Sequence, residues 1–496
     1  MSPEMTLVYC SIAGCCSSIL WLLLCNYAKT NVGLPLLTER AQPRHQIRME
    51  SMKRNSVLRA ILLVAMIVVP AHTAYAQRDP CGGGPDGAAD AFAQSFENET
   101  RLGAVRSLER APEARTILEA LPSAADPDTV VAMFAHNQDT HCVYLLTGND
   151  VIAFARTRFG GEDPRQALTS MLEAWRKSVG ITDTQPARGL RMTTLGSINS
   201  QLEYQGPMNE AAQIKASERL ADSLFPGDVR THLYRFSRMV VLPYAGLGAI
   251  PYPALPMDSE GSLFVDQLSV SISPGPTYFA INGRRPRSFL PAYRCRYDTH
   301  SSGALVVGDP ATQWDTEGHF PPLPGARSEA NWVAERLQVT ALVGEEASSW
   351  NIEEQGARAE IIHIAAHGVA LSDQPMQSFL ALSDRKWTVR NIQSTCLEGT
   401  RLAILSACQS GLGNNHDGGI IGIGRAFILA GVDEVAMTLW SVSDEKTVAL
   451  MKEFHAALED RELHTDEALR IAMKETRKIY PEPFVWASFA VLSGLE

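Results

Sequence analysis

The sequence lacks any excess of positive charge. Its 44 lysines and arginines are outnumbered by 55 aspartates and glutamates, for a formal charge of −11, and no lysine and arginine stripe stands out along the chain. This argues against the electrostatic footprint of a nucleic-acid binder, and no polyanion is required as a partner. Internal repeats and low-complexity tracts are also missing, so a solenoid array is not expected. Cysteine is sparse, nine in 496 residues, and four of these (Cys10, Cys15, Cys16 and Cys25) precede residue 77. What the chain does have is a 45% hydrophobic content, enough to bury a sizeable core in two or three domains or one elaborate one.

The first 76 residues read as outside the mature fold. Met52-Lys53-Arg54-Asn55 is a short basic start, residues 60–69 are apolar, and Ala74-Tyr75-Ala76 is a small-x-small cleavage signal before Gln77. Together they form a secretory signal peptide over residues 52–76, with export after cleavage at Ala76. Residues 1–51 carry their own apolar run at 7–24. They read as an upstream extension absent from the mature protein, the alternatives being a membrane anchor or the first span of a hairpin. The mature form is then not membrane-spanning.

Five cysteines remain beyond residue 76: Cys81, Cys142, Cys295, Cys396 and Cys408. In an exported chain an odd number leaves at least one unpaired. Two bridges with a free Cys408 suit a thiol nucleophile; five free thiols, four of them core residues, are the alternative.

Residues 77–127 open on Cys81-Gly82-Gly83-Gly84-Pro85 and read as a linker and helical lead-in. Strand-like runs follow at 130–134, 143–146 and 151–154, with Thr147-Gly148-Asn149-Asp150 turning the last two into a hairpin. Asp163 caps a helix with Pro164 in its first position, and Ala167, Leu168, Met171, Leu172 and Trp175 form its apolar face. Further strands are expected at 239–243, 268–272, 304–310 and 341–344, with a helix from Gly325 to Leu337. Strands alternating with helices imply a mainly parallel sheet covered on both faces.

Two apolar runs end in reactive residues at glycine-bearing breaks: Ile361-Ile362-His363-Ile364-Ala365-Ala366-His367-Gly368 and Leu402-Ala403-Ile404-Leu405-Ser406-Ala407-Cys408-Gln409-Ser410-Gly411. Such runs read as buried parallel strands, and chemistry collects where they end. His367 and Cys408 therefore form a candidate base and nucleophile, with Gly368 and Cys408 offering backbone N–H groups to an oxyanion. A zinc pair from His363 and His367 is disfavoured. Ile364 stands where a metallopeptidase carries its glutamate, and histidines four apart on a strand lie about 13 Å from each other. His363 reads as a core histidine. Gly422-Ile423-Gly424 follows a loop and lacks a third glycine, Phe427 standing there, so it reads as close helix packing rather than nucleotide binding.

His363-x-x-x-His367-Gly368, followed by Leu405 through Gly413, resembles the CHAT domain, a caspase-like group of cysteine peptidases related to separase. The resemblance extends to Val307-Gly308-Asp309-Pro310, Leu323-Pro324-Gly325-Ala326-Arg327, Leu439-Trp440-Ser441-Val442-Ser443-Asp444 and Trp486-Ala487-Ser488-Phe489, and covers roughly residues 215–496. It implies a three-layer α/β/α caspase-like fold, with a degenerate amino-terminal half (128–290) and a catalytic half (291–496). It also implies His367 as general base and acid, Cys408 as nucleophile, and Gly368 with Cys408 as the oxyanion site, with no cofactor and no metal.

The implied partners are a protein or peptide substrate and an activating protein. The helical repeats that usually accompany the family are missing. Ser406 stands where basic-specific metacaspases carry an acid, whereas Asp444 lies where separase-like enzymes place one. Asp444 is thus a candidate for binding a substrate arginine or lysine, or else a cap for the helix that follows. The reading is an exported cysteine endopeptidase of the CHAT type, with cleavage after a basic residue expected if Asp444 is the pocket acid. The alternatives are a catalytically silent CHAT-fold interaction module and an acyl transferase or esterase using the same thiol.

Overall fold

The computed structural model describes residues 79–101, 127–147, 150–181, 210–275, 303–316, 320–371, 374–407, 413–416, 419–441 and 444–493. The upstream extension, the signal segment, Cys295 and Cys408 lie outside the described residues. Strands in chain order are β1 Thr129–Asn137, β2 Thr140–Thr147, β3 Asp150–Arg158, β4 Arg238–Leu242, β5 Ser269–Ile272, β6 Ala304–Pro310, β7 Leu342–Gly344 and β8 Ile361–Ala366. They continue as β9 Gly368–Val369, β10 Phe379–Ala381, β11 Lys386–Thr388, β12 Leu402–Ala407, β13 Gly413–His416, β14 Gly419–Gly422, β15 Glu434–Thr438 and β16 Phe489–Leu492. The helices that position the site and its supports are α1 Gly84–Arg101, α2 Pro164–Ser178, α3 Glu210–Leu224, α4 Pro324–Arg336, α5 Ile423–Ala430, α6 Asp444–Ala457 and α7 Thr465–Ile479.

Eleven strands form one sheet in the order β3-β2-β1-β4-β5-β16-β15-β12-β8-β6-β7. β1, β4, β5 and β16 are parallel to one another, and so are β15, β12, β8, β6 and β7; the two blocks meet at the antiparallel β15–β16 pair. The mainly parallel α/β architecture expected from the sequence is the one observed. Its two halves share a single sheet, because β16 inserts between β5 and β15. In the second block β7 lies on one side of β6, while β8, β12 and β15 follow on the other, the 2-1-3-4-5 order of a doubly wound sheet. The strand order reverses between β6 and β8, which opens a crevice at their carboxyl ends.

β8 is buried on both faces, as its run of residues, apolar apart from His363, requires of a central parallel strand. Ile362, Ile364 and Ala366 join the main core, each isoleucine contributing about 1.5–3 kcal/mol by burial. On the other face α4 packs on β6 with Val306, Ala330 and Val333 in contact. Gly308 permits that approach, since a Cβ there would stand 2.4 Å from the Ala330 Cβ and 2.8 Å from the Ala326 carbonyl oxygen.

The hairpin β2–β3 and the Asp163-capped α2 occur where the sequence places them. Of the stretch at 81–85, expected as linker, Cys81 is buried while Gly82, Gly84 and Pro85 are exposed, and the helical lead-in expected with it is α1. Ala88, Ala91 and Phe92 of α1 bury against Val131, Met133, Tyr144 and Val240, and Cys81 is disulfide-bonded to Cys142. Cys396 is disulfide-bonded too. The opposite face of β1 carries Val130, Ala132 and Phe134 in the same core as Leu168 and Trp175 of α2 and Leu220 of α3.

Beside that core, His141 is fully buried, with Nδ1 2.8 Å from the Tyr244 hydroxyl. Burial drops its pKa from 6.5 to about 3, opposed by the Leu224 carbonyl and reinforced by His136. The unfolded chain takes up this proton as pH falls below 6.5, whereas the folded chain resists until about 3, so stability is lost as pH falls through that window. The loss is on the order of 5 kcal/mol when complete. His141→Gln is expected to flatten the fall of denaturant midpoint between pH 6.5 and 4; an unchanged slope would overturn the assignment.

Candidate active site

β8 and β12 are adjacent and parallel, with Ala365 level with Ser406 and Ala366 level with Ala407. The residue after β8 is His367, and the one that follows β12 in the sequence is Cys408, which lies outside the described residues. The end of β12 is fixed by the buried Thr438 hydroxyl, which donates to the Ala407 carbonyl. Gly368 opens β9, which pairs with β10.

His367 is oriented by a backbone carbonyl. Its Nε2 lies 2.8 Å from Pro321 O. A carbonyl only accepts, so Nε2 carries the proton and the neutral ring presents Nδ1 as its basic nitrogen. The Phe320 ring packs at 5.5 Å from the imidazole and itself meets Trp314 and Phe379. Burial lowers the His367 pKa; the Pro321 carbonyl and the carboxylates of Asp444, Asp309 and Asp315 work against that lowering. The net effect favours the neutral ring.

The segment that holds Pro321 is tied down by three carboxylates. Asp315 accepts from Phe320 N at 2.7 Å, Asp309 from Leu323 N at 2.7 Å, and Asp444 from Gly325 N and Ala326 N at 2.6 and 2.7 Å. Asp309 also pairs with Arg327 Nε at 2.8 Å.

Asp444 is the first residue of α6, and the helix it caps is α4, not the one it begins, as was expected if it served as a cap. Leu323, at the N-cap of α4, has no side-chain acceptor, so the orphan N–H groups of its first turn go to a carboxylate from elsewhere in the chain. Gly325 allows this, since a Cβ on it would lie 2.5 Å from the Asp444 Cγ. Burial raises the Asp444 pKa, and the two N–H groups oppose the rise.

His363 is a core residue, as its surroundings in the sequence suggested. Its Nε2 meets Glu329 at 2.9 Å and its Nδ1 meets His455 Nε2 at 3.1 Å, in a fully buried chain between β8, α4 and α6. Gly422 precedes α5, whose Ile423, Ala426 and Phe427 are buried against the core.

Of the residues that hold His367, the sequence reading missed Asp309, Pro321 and Phe320. The signal available was Asp309-Pro310 closing an apolar run and the proline density of Pro321-Pro322-Leu323-Pro324.

Comparison with known proteins sets these features in context. The CHAT domain description matches residues 215–495. Tetratricopeptide repeat protein 28 of Homo sapiens is 22% identical over 307 residues, 52% of this chain and 12% of that protein. Its Mus musculus counterpart is 24% identical over 256 residues, 42% of this chain and 10% of that protein. The chain thus spans about a tenth of the length of these curated relatives. Among solved structures, the Saccharomyces cerevisiae separase-securin complex gives a TM-score of 0.46 at 10% identity, covering 82% of this chain and 33% of that one. The Arg-specific cysteine proteinase gingipain R gives 0.36 at 9% identity, covering 58% and 68%. The matched family region takes in more than half of the sequence, including His367 and Cys408, and the chain belongs to the CHAT domain family.

Proposed function

We propose that this chain is an exported cysteine endopeptidase in which Cys408 is the nucleophile and His367 the base. One observation carries the reading: His367 follows the residue paired with Ala407, and its Nε2–H is committed to Pro321, which leaves Nδ1 to take a thiol proton. Cys408 gives its proton to Nδ1, and the thiolate attacks the carbonyl carbon of the scissile bond. The N–H groups of Gly368 and Cys408 hold the oxyanion. Collapse of this intermediate breaks the C–N bond as the imidazolium protonates the leaving amine, and water then hydrolyses the thioester with His367 again as base. The substrate is a protein or peptide. Disulfides at Cys81–Cys142 and at Cys396 support an oxidising compartment and hence export.

Asp444 is the proposed partner of a basic side chain before the cut bond. Each of its oxygens accepts one backbone N–H, and a carboxylate retains further lone-pair directions for a guanidinium or ammonium. Asp444→Asn is expected to lower the preference for basic over neutral peptides by about 10-fold or more. It also removes a negative charge that favours the imidazolium. The acidic limb of kcat/KM, already below pH 6.5 because burial lowers the His367 pKa, then moves lower still. An unchanged ratio of basic to neutral cleavage would sink the pocket role.

The test of the whole reading is labelling of the purified protein by a thiol-reactive peptide probe with arginine at its first position. Fast labelling at Cys408 supports an activated nucleophile. Labelling no faster than a free thiol favours an interaction module, a role to which the likeness to Tetratricopeptide repeat protein 28 also points.

A further inference from the structure

We infer that Asp309 is the positioning residue for His367, acting through the proline segment that bears the Pro321 carbonyl. The inference deepens the peptidase reading and rests on it for its kinetic readout.

The strand order places Asp309 at the centre of the site. It lies near the carboxyl end of β6, on one side of the β6–β8 reversal, and His367 follows β8 on the other. Within β6 it is an extra residue: Gly308 pairs with Val343 and Pro310 with Gly344, so Asp309 bulges out of the ladder. Its φ of 46° is left-handed, a conformation that aspartate tolerates better than most residues but still adopts at a cost. A bulge re-aims a side chain, and this one turns a nearly buried carboxylate onto the segment that holds His367. One oxygen accepts from Leu323 N, and the other pairs with Arg327 Nε.

The composition of that segment makes the contact hard to replace. In Pro321-Pro322-Leu323-Pro324 three residues have no N–H, so Leu323 supplies the sole backbone donor, and Asp309 takes it. Asp315 holds the segment before this point, at Phe320, and Asp444 holds it after, at Gly325 and Ala326. Without Asp309, the Leu323 N–H loses its acceptor; the Leu323 carbonyl still accepts from Arg327 N and the Phe320 carbonyl from the Thr312 hydroxyl, and the Pro321 carbonyl between them is held less firmly against His367 Nε2.

The experiment is histidine-selective 15N NMR of the full chain near pH 7.5, with the His367 signal assigned by its loss in His367→Gln, alongside the rate of Cys408 labelling. The parent is expected to hold His367 as the Nε2–H tautomer. Asp309→Ala is expected to give exchange between tautomers and a fall in labelling rate of about 10- to 100-fold, the scale of a misplacement near 1 Å. Asp309→Gly relaxes the backbone without restoring the carboxylate and should match the alanine variant. Asp309→Asn keeps one acceptor for Leu323 and should fall between, which also carries the test if the alanine variant fails to fold.

A folded Asp309→Ala or Asp309→Asn protein with the parental tautomer and labelling rate would overturn the inference, as would recovery of both in Asp309→Gly. Failure of the peptidase reading looks different. In that case the parent labels no faster than a free thiol, while the His367 tautomer still depends on Asp309.

Discussion

Cys408→Ala is expected to abolish peptide hydrolysis, and His367→Ala to lower kcat/KM by about 10²- to 10⁴-fold, the usual contribution of a positioned general base. The two differ because the thiol is irreplaceable as nucleophile, whereas a few per cent of thiolate exists at neutral pH without any base. The double variant should then be no worse than Cys408→Ala alone, since residues acting as one unit do not add. Neither change removes a large buried side chain, so unfolding midpoints should stay close to the parent. A loss of activity accompanied by a large loss of stability would point to a structural role instead. Parental turnover of a basic peptide by folded Cys408→Ala would overturn the mechanism outright. Residual slow labelling of Cys408 in His367→Ala, at the rate of an ordinary thiol, is the result that separates base from nucleophile.

The legible parts of this protein were those governed by local pattern. Ile361 to Ala366 and Leu402 to Ala407 announce buried parallel strands because every residue on them is apolar or small apart from His363 and Ser406, and the glycines beyond mark their ends. Asp163-Pro164 announces α2 because cap and first-turn chemistry are local. The supports of His367 were illegible because each is a contact between distant parts of the chain. Asp444 satisfies the first turn of α4 precisely where Leu323 has no acceptor, and no period or spacing records that pairing. The Asp309 bulge depends on its register with β7. The tie of Cys81 to β2 was illegible because its partner Cys142 stands 61 residues away, and cysteine spacing does not give connectivity.

The joining of the two halves leads to the other large expected effect. Arg238, the first residue of β4, donates from Nε to Asp466 Oδ2 at 2.8 Å, and both side chains are almost entirely buried, 4% and 1% exposed. Asp466 sits in the first turn of α7, where a negative charge also faces the positive end of the helix. Two desolvated charges in contact contribute little net stability, because the cost of taking them from water offsets most of their attraction, but deleting one strands the other. Arg238→Met, which leaves the buried Asp466 carboxylate without this guanidinium, is therefore expected to cost about 3–5 kcal/mol in denaturant unfolding. Replacing both partners by apolar residues of similar size, Arg238→Met with Asp466→Leu, should return most of that loss. If the single variant cost less than about 1 kcal/mol, as a solvent-exposed pair does, water would have to reach the Asp466 carboxylate, and the pair would not be the buried tie between β4 and α7 that its exposure indicates. If the double variant were as unstable as the single one, the loss would come from packing rather than from an uncompensated charge.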